Sequence, residues 1–346
     1  MNLDDEWLTF QSSINNNNSM TSIINNKKKT LPPKCSDIYI STQTKIAYLN
    51  SKIDLYNVFW NLPVLNYYSP KDGIIKKSIK ITCNTINEVD KLEKNLENIE
   101  CLDINILKQV NNPDARKTKF KDIRKIDVGL CKKDLICYRK AKKGAFYNCF
   151  ALILRIKYKS LYKEVHVKIF NTGKLEIPGI QYDELLIITL DKLVNILKPF
   201  TNENLQYNSD ISTVLINSNF SCGFFIDRFK LYKILKNKYN INAAYDPCSY
   251  PGIQCKFYYN PEKKLQDGVK TNDFKENWSQ ISFMIFRTGS VLIVGNCDKN
   301  ILNIIYNYLK KILFEEYTEV CIENNNTKKK NNIKKIRKKT VLFTIK

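Results

Sequence analysis

Apolar and polar residues alternate in short stretches along most of this chain, and longer stretches with helical spacing interrupt the alternation. A period of two predicts strands, and apolar residues three and four positions apart predict amphipathic helices. The helical spacing is clearest at 183–197 and 298–313, where apolar side chains share one stripe and lysines occupy the other side of 298–313. The pattern predicts an α+β protein in which helices cover one face of a sheet.

One strand–turn–strand segment occurs twice. Residues 167–179 (VKIFNTGKLEIPG) return as 283–295 (FMIFRTGSVLIVG) without a gap. Each copy alternates on both sides of a Thr-Gly dipeptide and runs into one of the two predicted helices. Gly173 and Gly289 are therefore predicted at equivalent turns with a positive φ. A duplicated unit of this kind indicates two fused half-domains.

The duplication defines a domain plan with four segments. We predict a disordered Asn/Lys-rich segment at 1–34, repeat one at 35–200, repeat two at 201–320 and a basic tail at 321–346. The lysine runs of the tail fit a nuclear-import signal, an electrostatic DNA arm or a solvated tail.

Repeat one carries about 80 residues that repeat two lacks. This excess, at about 64–144, is predicted as an α+β insertion. Its predicted elements are a strand at 75–83, a helix at 88–99, a strand at 102–110, a basic loop and a strand at 125–130.

Charge indicates the class of partner. The chain has 56 Lys and Arg against 34 Asp and Glu, a formal net charge of +22, which favours a polyanion. An AT-rich genome would also raise the lysine content, so basicity alone does not establish nucleic-acid binding. The chain has no apolar run of 18 residues and begins with an acidic, Asn-rich stretch, so we predict neither a membrane span nor export.

Cysteine and histidine usage argues against a metal site. The 11 cysteines include no CxxC pair, and His166 is the single histidine, so we predict a reduced intracellular protein without a metal or cofactor. The chain has no nucleophile elbow, P-loop, HExxH or GxGxxG following a strand. We therefore predict that it is not an enzyme.

The motifs resemble one known family. In repeat two they are 245–253 (YDPCSYPGI) and 283–295; in repeat one they are 52–55 (KIDL), 147–151 and 169–174. Their order and duplication resemble the TATA-box-binding protein family. The insertion, the Asn-rich ends and 58–63 (VFWNLP) look like the divergent members found in large DNA viruses. The resemblance covers about 38–62, 145–200 and 209–315.

The resemblance implies a fold and a set of partners. The fold would be two repeats forming a pseudo-twofold, saddle-shaped antiparallel sheet, with helices on the convex side and the concave face on a DNA minor groove. The partners would be double-stranded AT-rich DNA, a transcription factor B-like protein and RNA polymerase. The protein would act as a monomer in the host nucleus or a cytoplasmic viral factory, or be packaged in the virion.

The resemblance also implies site residues. Aromatic wedges would be Phe150, Phe170, Tyr250 and Phe286. Phosphate contacts would come from Arg155, Lys256 and Lys174. In repeat two, strand alternation places Met284, Leu292 and Val294 on the face of Phe286, so an apolar DNA-contact surface is predicted there. Thr42 and Thr213, or Asn217, lie nearest to the family's central Asn pair, which this chain lacks.

Glu176, Pro178 and the missing Asn pair leave a second function open. Pro178 and Val294 stand where the family has Thr, and alternation places Glu176 on the face of Phe170, where a carboxylate would oppose phosphate. The spacing from Phe150 to Arg155 is five residues, against six from Tyr250 to Lys256, so one repeat contains a bulge or Phe146 replaces Phe150. A saddle-shaped scaffold that contacts transcription proteins without binding DNA is the alternative.

Overall fold

The alternating stretches build one large antiparallel sheet, and the helical stretches pack against one of its faces. The structure is a computed structural model that describes residues 31–97, 99–136, 146–270 and 278–322. Contacts divide the chain into residues 1–33 and 34–346, and every element named below lies in the second unit. The predicted segments 1–34 and 321–346 lie almost entirely outside the described residues.

The strands are β1 (Tyr39–Tyr48), β2 (Gly73–Cys83), β3 (Leu102–Asn111), β4 (Phe120–Gly129), β5 (Cys149–Tyr158), β6 (Leu161–Phe170), β7 (Lys174–Ile180), β8 (Ser212–Ser221), β9 (Phe225–Ile226), β10 (Asn242–Ala244), β11 (Gly252–Tyr259), β12 (Ser279–Phe286), β13 (Ser290–Gly295) and β14 (Cys321–Ile322). The helices are α1 (Leu55–Asn61), α2 (Ile86–Leu96), α3 (Lys132–Ile136), α4 (Asp183–Leu197), α5 (Arg228–Asn237), α6 (Lys299–Glu315) and α7 (Tyr317–Val320).

The main sheet has twelve strands in the order β10-β11-β12-β13-β8-β1-β7-β6-β5-β2-β4-β3. Neighbouring strands pair antiparallel throughout. Outward from the central pair β8 and β1, the order is β13, β12, β11, β10 on one side and β7, β6, β5, β2 on the other. This architecture confirms the predicted α+β class with a large antiparallel sheet. We call the β1, α1, β2, β5–β7, α4 portion the first half and the β8, α5, β10–β13, α6 portion the second half.

Strand alternation separates two faces of the sheet. In β12, Ile281, Phe283 and Ile285 are buried, whereas Met284 and Phe286 are only half-buried. The buried face packs against helices, for example against the buried stripe of α6, whose members are Leu302, Ile305, Leu309, Ile312 and Leu313. We call this the core face, and the opposite one, which carries Met284 and Phe286, the open face. Burial of the apolar stripes on the core face supplies most of the stabilisation.

An Ile-Asp dipeptide precedes helix α1 in the first half and helix α5 in the second half, and its aspartate caps the helix. Ile53-Asp54 precedes α1 and Ile226-Asp227 precedes α5. The Asp54 carboxylate accepts a hydrogen bond from the backbone N–H of Asn57, and the Asp227 carboxylate accepts from two N–H groups of its first turn. Each carboxylate thereby satisfies helix donors that have no partner within the helix.

The elements of the predicted insertion widen the sheet at one end. Beyond β5, the order continues through β2, β4 and β3. In the first half β2 pairs with β5, and in the second half β10 pairs with β11 in the same way. β4 pairs with β2 on its other side, and β3 pairs with β4 and forms the edge of the sheet. Helix α2 buries Val89, Leu92 and Leu96. Among the residues that the structure describes, no helix is long and apolar enough to cross a membrane.

The two hairpin turns have the predicted backbone. Gly173 and Gly289 adopt φ of +85° and +78°. A Cβ at Gly289 would lie 2.2 Å from the carbonyl oxygen of Phe224. We expect Gly289→Ala to lower the free energy of unfolding by well over the roughly 1–2 kcal/mol of left-handed strain alone, because a backbone clash adds to that strain.

The control for this prediction is Gly179→Ala. Gly179 has φ of +84°, but a Cβ there would meet nothing within 4 Å. Chemical denaturation of both variants separates strain from clash. Equal losses of stability would contradict the close approach at Gly289.

Candidate nucleic-acid interface

The open face of the second half is largely apolar. Met284 lies opposite Leu292, and Val294 lies opposite Ser282, on the pleat that faces away from the helices. All four lie only half-buried. Leu292 and Val294 therefore occupy the face on which the sequence analysis placed them. Such a surface offers van der Waals contact and few hydrogen bonds.

An aromatic pair stands at the end of this apolar surface. The rings of Tyr250 and Phe286 lie 5.9 Å apart at 60°. Gly252 faces Phe286 across the β11–β12 ladder, and a Cβ there would come within 3.0 Å of the Phe286 ring. The Tyr250 hydroxyl donates to the sulfur of Met284 at 3.6 Å. The glycine thus lets both rings lie close against the strand.

Phe150 does not form the matching pair in the first half, and its prediction as a wedge is wrong. Its ring is 0% exposed and packs edge-on against Phe59 in the core, with 6.2 Å between ring centroids. The ladder explains the error: Cys149, not Phe150, faces Phe170, as Gly252 faces Phe286. Phe150 is one residue further along the strand and so points to the opposite face.

Register identifies Tyr147 as the counterpart of Tyr250. Tyr147 lies two residues before Cys149, and Tyr250 lies two residues before Gly252. The Tyr147 side chain is 61% exposed, and the ammonium nitrogen of Lys80 lies 3.4 Å from its ring centroid. The matching Tyr-x-Cys and Tyr-x-Gly spacings were the sequence signal for this residue.

Phe146, the suggested substitute, is also exposed, at 64%. The Lys168 ammonium nitrogen lies 4.7 Å from its ring centroid. Phe170 is half-buried on the open face, and the Lys174 ammonium nitrogen lies 5.6 Å from its ring centroid. The first half therefore presents aromatic rings and cations together at this end of the sheet.

Polar residues occupy the centre of the open face. Thr42 and Asn217 pair across β1 and β8, and the Asn217 amide donates to the Thr42 hydroxyl at 3.1 Å. The prediction of Thr213 as a DNA contact is wrong. Thr213 pairs with Lys45, whose ammonium group forms an ion pair with Asp183 of α4. Thr213 therefore lines a cavity on the core-face side of the sheet. A register shift between Thr44 and Lys45 changes the alternation there.

Arg155 is not available for phosphate contact, so its prediction is also wrong. The side chain lies on the open face but is 6% exposed, and its guanidinium donates to the carbonyl oxygens of Lys71, Tyr67 and Ser69. It holds the loop before β2 in place. Counted from the Cys149–Phe170 pair, the position equivalent to Lys256 is Ile153.

Lys256 and Lys174 both lie on the open face. Lys256 is exposed and pairs with Ser282 and Asn242 across its two ladders. Lys174 lies opposite Tyr48. These two predicted positions are compatible with phosphate contact, one in each half.

The open face of the first half is more polar. Glu176 shares the face of Phe170, as alternation predicted, but it accepts a hydrogen bond from Lys168 at 2.5 Å. Burial and the nearby Lys168 lower the pKa of His166 on the same face, so this histidine is neutral near pH 7. The Lys168–Glu176 pair offsets the carboxylate charge that would otherwise oppose DNA.

Part of this face is already engaged within the chain. Lys76 pairs with Asp134 at 2.9 Å, and Glu164 accepts from the backbone N–H of Lys132. The open face of the first half is thus most accessible near Tyr147 and Phe170, and that of the second half over its apolar surface.

These features define a two-layer α+β protein whose open sheet face combines apolar, aromatic, amide and basic side chains.

No family model matches the chain. A curated protein of Acanthamoeba polyphaga mimivirus, described as TATA-box-binding protein-like, is 24% identical over 197 residues, which cover 53% of this chain and 52% of that protein. The chain thus spans about half the length of this relative. The match confirms the resemblance to viral proteins of the TATA-box-binding-protein type.

A solved structure, Methanococcus jannaschii TBP, is also similar to this chain. The match covers 81% of this chain and 99% of the archaeal one, at 14% sequence identity and a TM-score of 0.36.

Proposed function

We propose that this protein is a transcription initiation factor of the TATA-box-binding type. Its open face binds AT-rich promoter DNA in the minor groove and bends it, and its helices recruit a transcription factor B-like protein and RNA polymerase. It acts as a monomeric binding protein, not as an enzyme.

The observation that carries this proposal is the open face of the second half. Met284, Leu292 and Val294 form an apolar surface that ends at the Tyr250–Phe286 pair, with Lys256 beside it. Apolar contact with a widened minor groove, and aromatic insertion between base steps, match this composition; TATA-box-binding proteins are the known example of this mode. TA steps deform at low cost, so sequence preference follows from deformability.

The strand order supports a saddle made of two repeats. The strand orders β13-β12-β11-β10 and β7-β6-β5-β2 run outward from the centre and correspond between the halves. The hairpins of the two halves also correspond, but α2, β3, β4 and α3 lie between β2 and β5, whereas β10 leads directly to β11. We propose that the halves are related by a pseudo-twofold axis between β1 and β8, with repeat one at 35–200 and repeat two at 201–320. Because β2 matches β10, the predicted insertion at about 64–144 begins too early, and we place the additional elements between β2 and β5, at 84–148. In this arrangement the two aromatic groups lie at opposite ends of the bound segment.

The test is a bending assay on an AT-rich and a GC-rich duplex of equal length. We expect fluorescence energy transfer between end labels to report a bend on the AT-rich duplex and little bend on the GC-rich one. Affinity should fall with salt by about 0.9 log unit per log unit of salt for each phosphate contacted. Equal binding of both duplexes without bending would contradict the proposal.

The scaffold without DNA binding is the second candidate. The internally held Arg155 and Pro178 favour it, because the first half then lacks one predicted phosphate contact and has proline where the family has a base-reading Thr. A protein that binds a transcription factor B-like partner but neither duplex would support the scaffold.

A further inference from the structure

The extra strands carry the open face beyond the two halves. Along the ladders, Lys80 of β2 lies opposite Lys125 of β4, and Lys125 lies opposite Asn105 of β3. Two residues earlier in β4, at the next position on the same face, Ile123 lies opposite Lys108 of β3. Residues in these positions share the face of Tyr147, because Lys80 contacts that ring. β4 and β3 therefore continue the open face past its aromatic end.

Lysines on this continuation fall into two groups. Lys76, at the end of β2 remote from Tyr147, and Lys125, opposite Lys80, both pair with Asp127, at 3.8 and 3.0 Å. At the near end, Lys80, Lys108 and Lys121 have no carboxylate partner among the ion pairs of the described residues. The charge of the near group is therefore available to an external anion.

The near group is concentrated around one point. The Lys80 ammonium nitrogen lies 3.4 Å from the Tyr147 ring centroid, and Lys108 and Lys121 occupy neighbouring positions of the β3–β4 ladder on the same face, opposite Ile123 and Val110. In keeping with this placement, Lys80, and then Lys121 and Lys108, lower the pKa of Tyr147. The loop that joins β3 to β4, residues 112–119, adds Arg116, Lys117 and Lys119 against one carboxylate, Asp114. The β3–β4 hairpin thus ends in a cluster of cations beside the first-half aromatic rings.

We propose that the β3–β4 hairpin is a second DNA contact, which binds the phosphate backbone of the duplex that flanks the AT-rich segment on the first-half side. This inference rests on the proposed function, since it needs DNA on the open face. Charge complementarity and continuity with that face identify the occupant.

The experiment compares Lys108→Gln/Lys121→Gln with Lys91→Gln/Lys94→Gln. The control removes the same charge from α2, which lies between β2 and β3 in the chain and exposes both of its lysines. Each protein is titrated with two labelled duplexes that share an AT-rich core. One ends at the core, and the other extends by about 10 base pairs, one helical turn, on each side. Fluorescence anisotropy at several salt concentrations gives affinity and salt slope.

We expect the hairpin variant to bind the extended duplex more weakly, with a salt slope smaller by about 1.8, since two phosphate contacts are lost. Binding of the short duplex should be unchanged, and the α2 control should match the unaltered protein on both. A hairpin variant that matches the control on the extended duplex overturns the inference, as does equal weakening on both duplexes. If the unaltered protein shows no AT preference but the hairpin effect persists, the proposed function fails and the phosphate contact stands.

Discussion

Replacing Phe286 by Ala is expected to remove most of the DNA bend while the fold survives. Phe286 is half-buried on the open face, where it packs with Tyr250 and over Gly252. A ring that enters a base step offsets an unstacking cost of about a few kcal/mol, so its loss should affect bending more than electrostatic binding. End-label energy transfer on the AT-rich duplex measures the bend, and the thermal midpoint measures the fold.

Phe283→Ala is the matched control on the same strand. Phe283 is 0% exposed on the core face, three residues before Phe286. Removing its ring should cost roughly 3–5 kcal/mol of unfolding free energy, because it leaves a cavity. A midpoint that falls as far for Phe286→Ala as for Phe283→Ala would identify Phe286 as a core residue and remove the main support for a DNA wedge.

The sequence predicted the elements that depend on local pattern. The helix expected at 183–197 is α4 with the same bounds, and the one at 298–313 corresponds to α6. The duplicated hairpin and its glycine turns also follow from a few neighbouring residues. Predicted bounds differ more at β4, which begins at Phe120 where the strand was expected from 125, because most of the residues in 120–125 (FKDIRK) are charged and do not alternate with apolar ones.

The errors in the candidate site come from register and distant contacts. A shift of one residue reverses the face of every following side chain, and the shift between Thr44 and Lys45 places Thr213 on the core side. The pattern of apolar and polar residues in β1 and β8 does not mark such a bulge. Arg155 is held by carbonyl groups 84–88 residues earlier in the chain, which no local reading can anticipate.

The ion-pair partner of Glu176 could have been predicted from the sequence. Lys168 lies eight residues before it, and the hairpin centred on Thr172 brings the two positions opposite each other. Once the turn is fixed, cross-strand pairing follows from counting. The same counting, applied to the strands before each hairpin, distinguishes Tyr147 from Phe150.

Tyr147→Ala should reduce bending and AT preference with almost no change in stability. The side chain is 61% exposed, so its removal leaves no cavity, while the first-half aromatic end loses a ring that stands where Tyr250 stands in the second half. Tyr147→Phe keeps the ring and should bend DNA as the unaltered protein does. Energy transfer and the thermal midpoint are measured as for Phe286.

Phe150→Ala should give the opposite result. Its ring is 0% exposed against Phe59, so truncation should cost roughly 3–5 kcal/mol of unfolding free energy. Below the lowered midpoint, the folded fraction should still bend AT-rich DNA. If Tyr147→Ala bends DNA normally while Phe150→Ala, still folded, does not, the register equivalence of Tyr147 and Tyr250 has no functional meaning. If both bend DNA normally, neither residue is a wedge, and bending depends on the second half and Phe170.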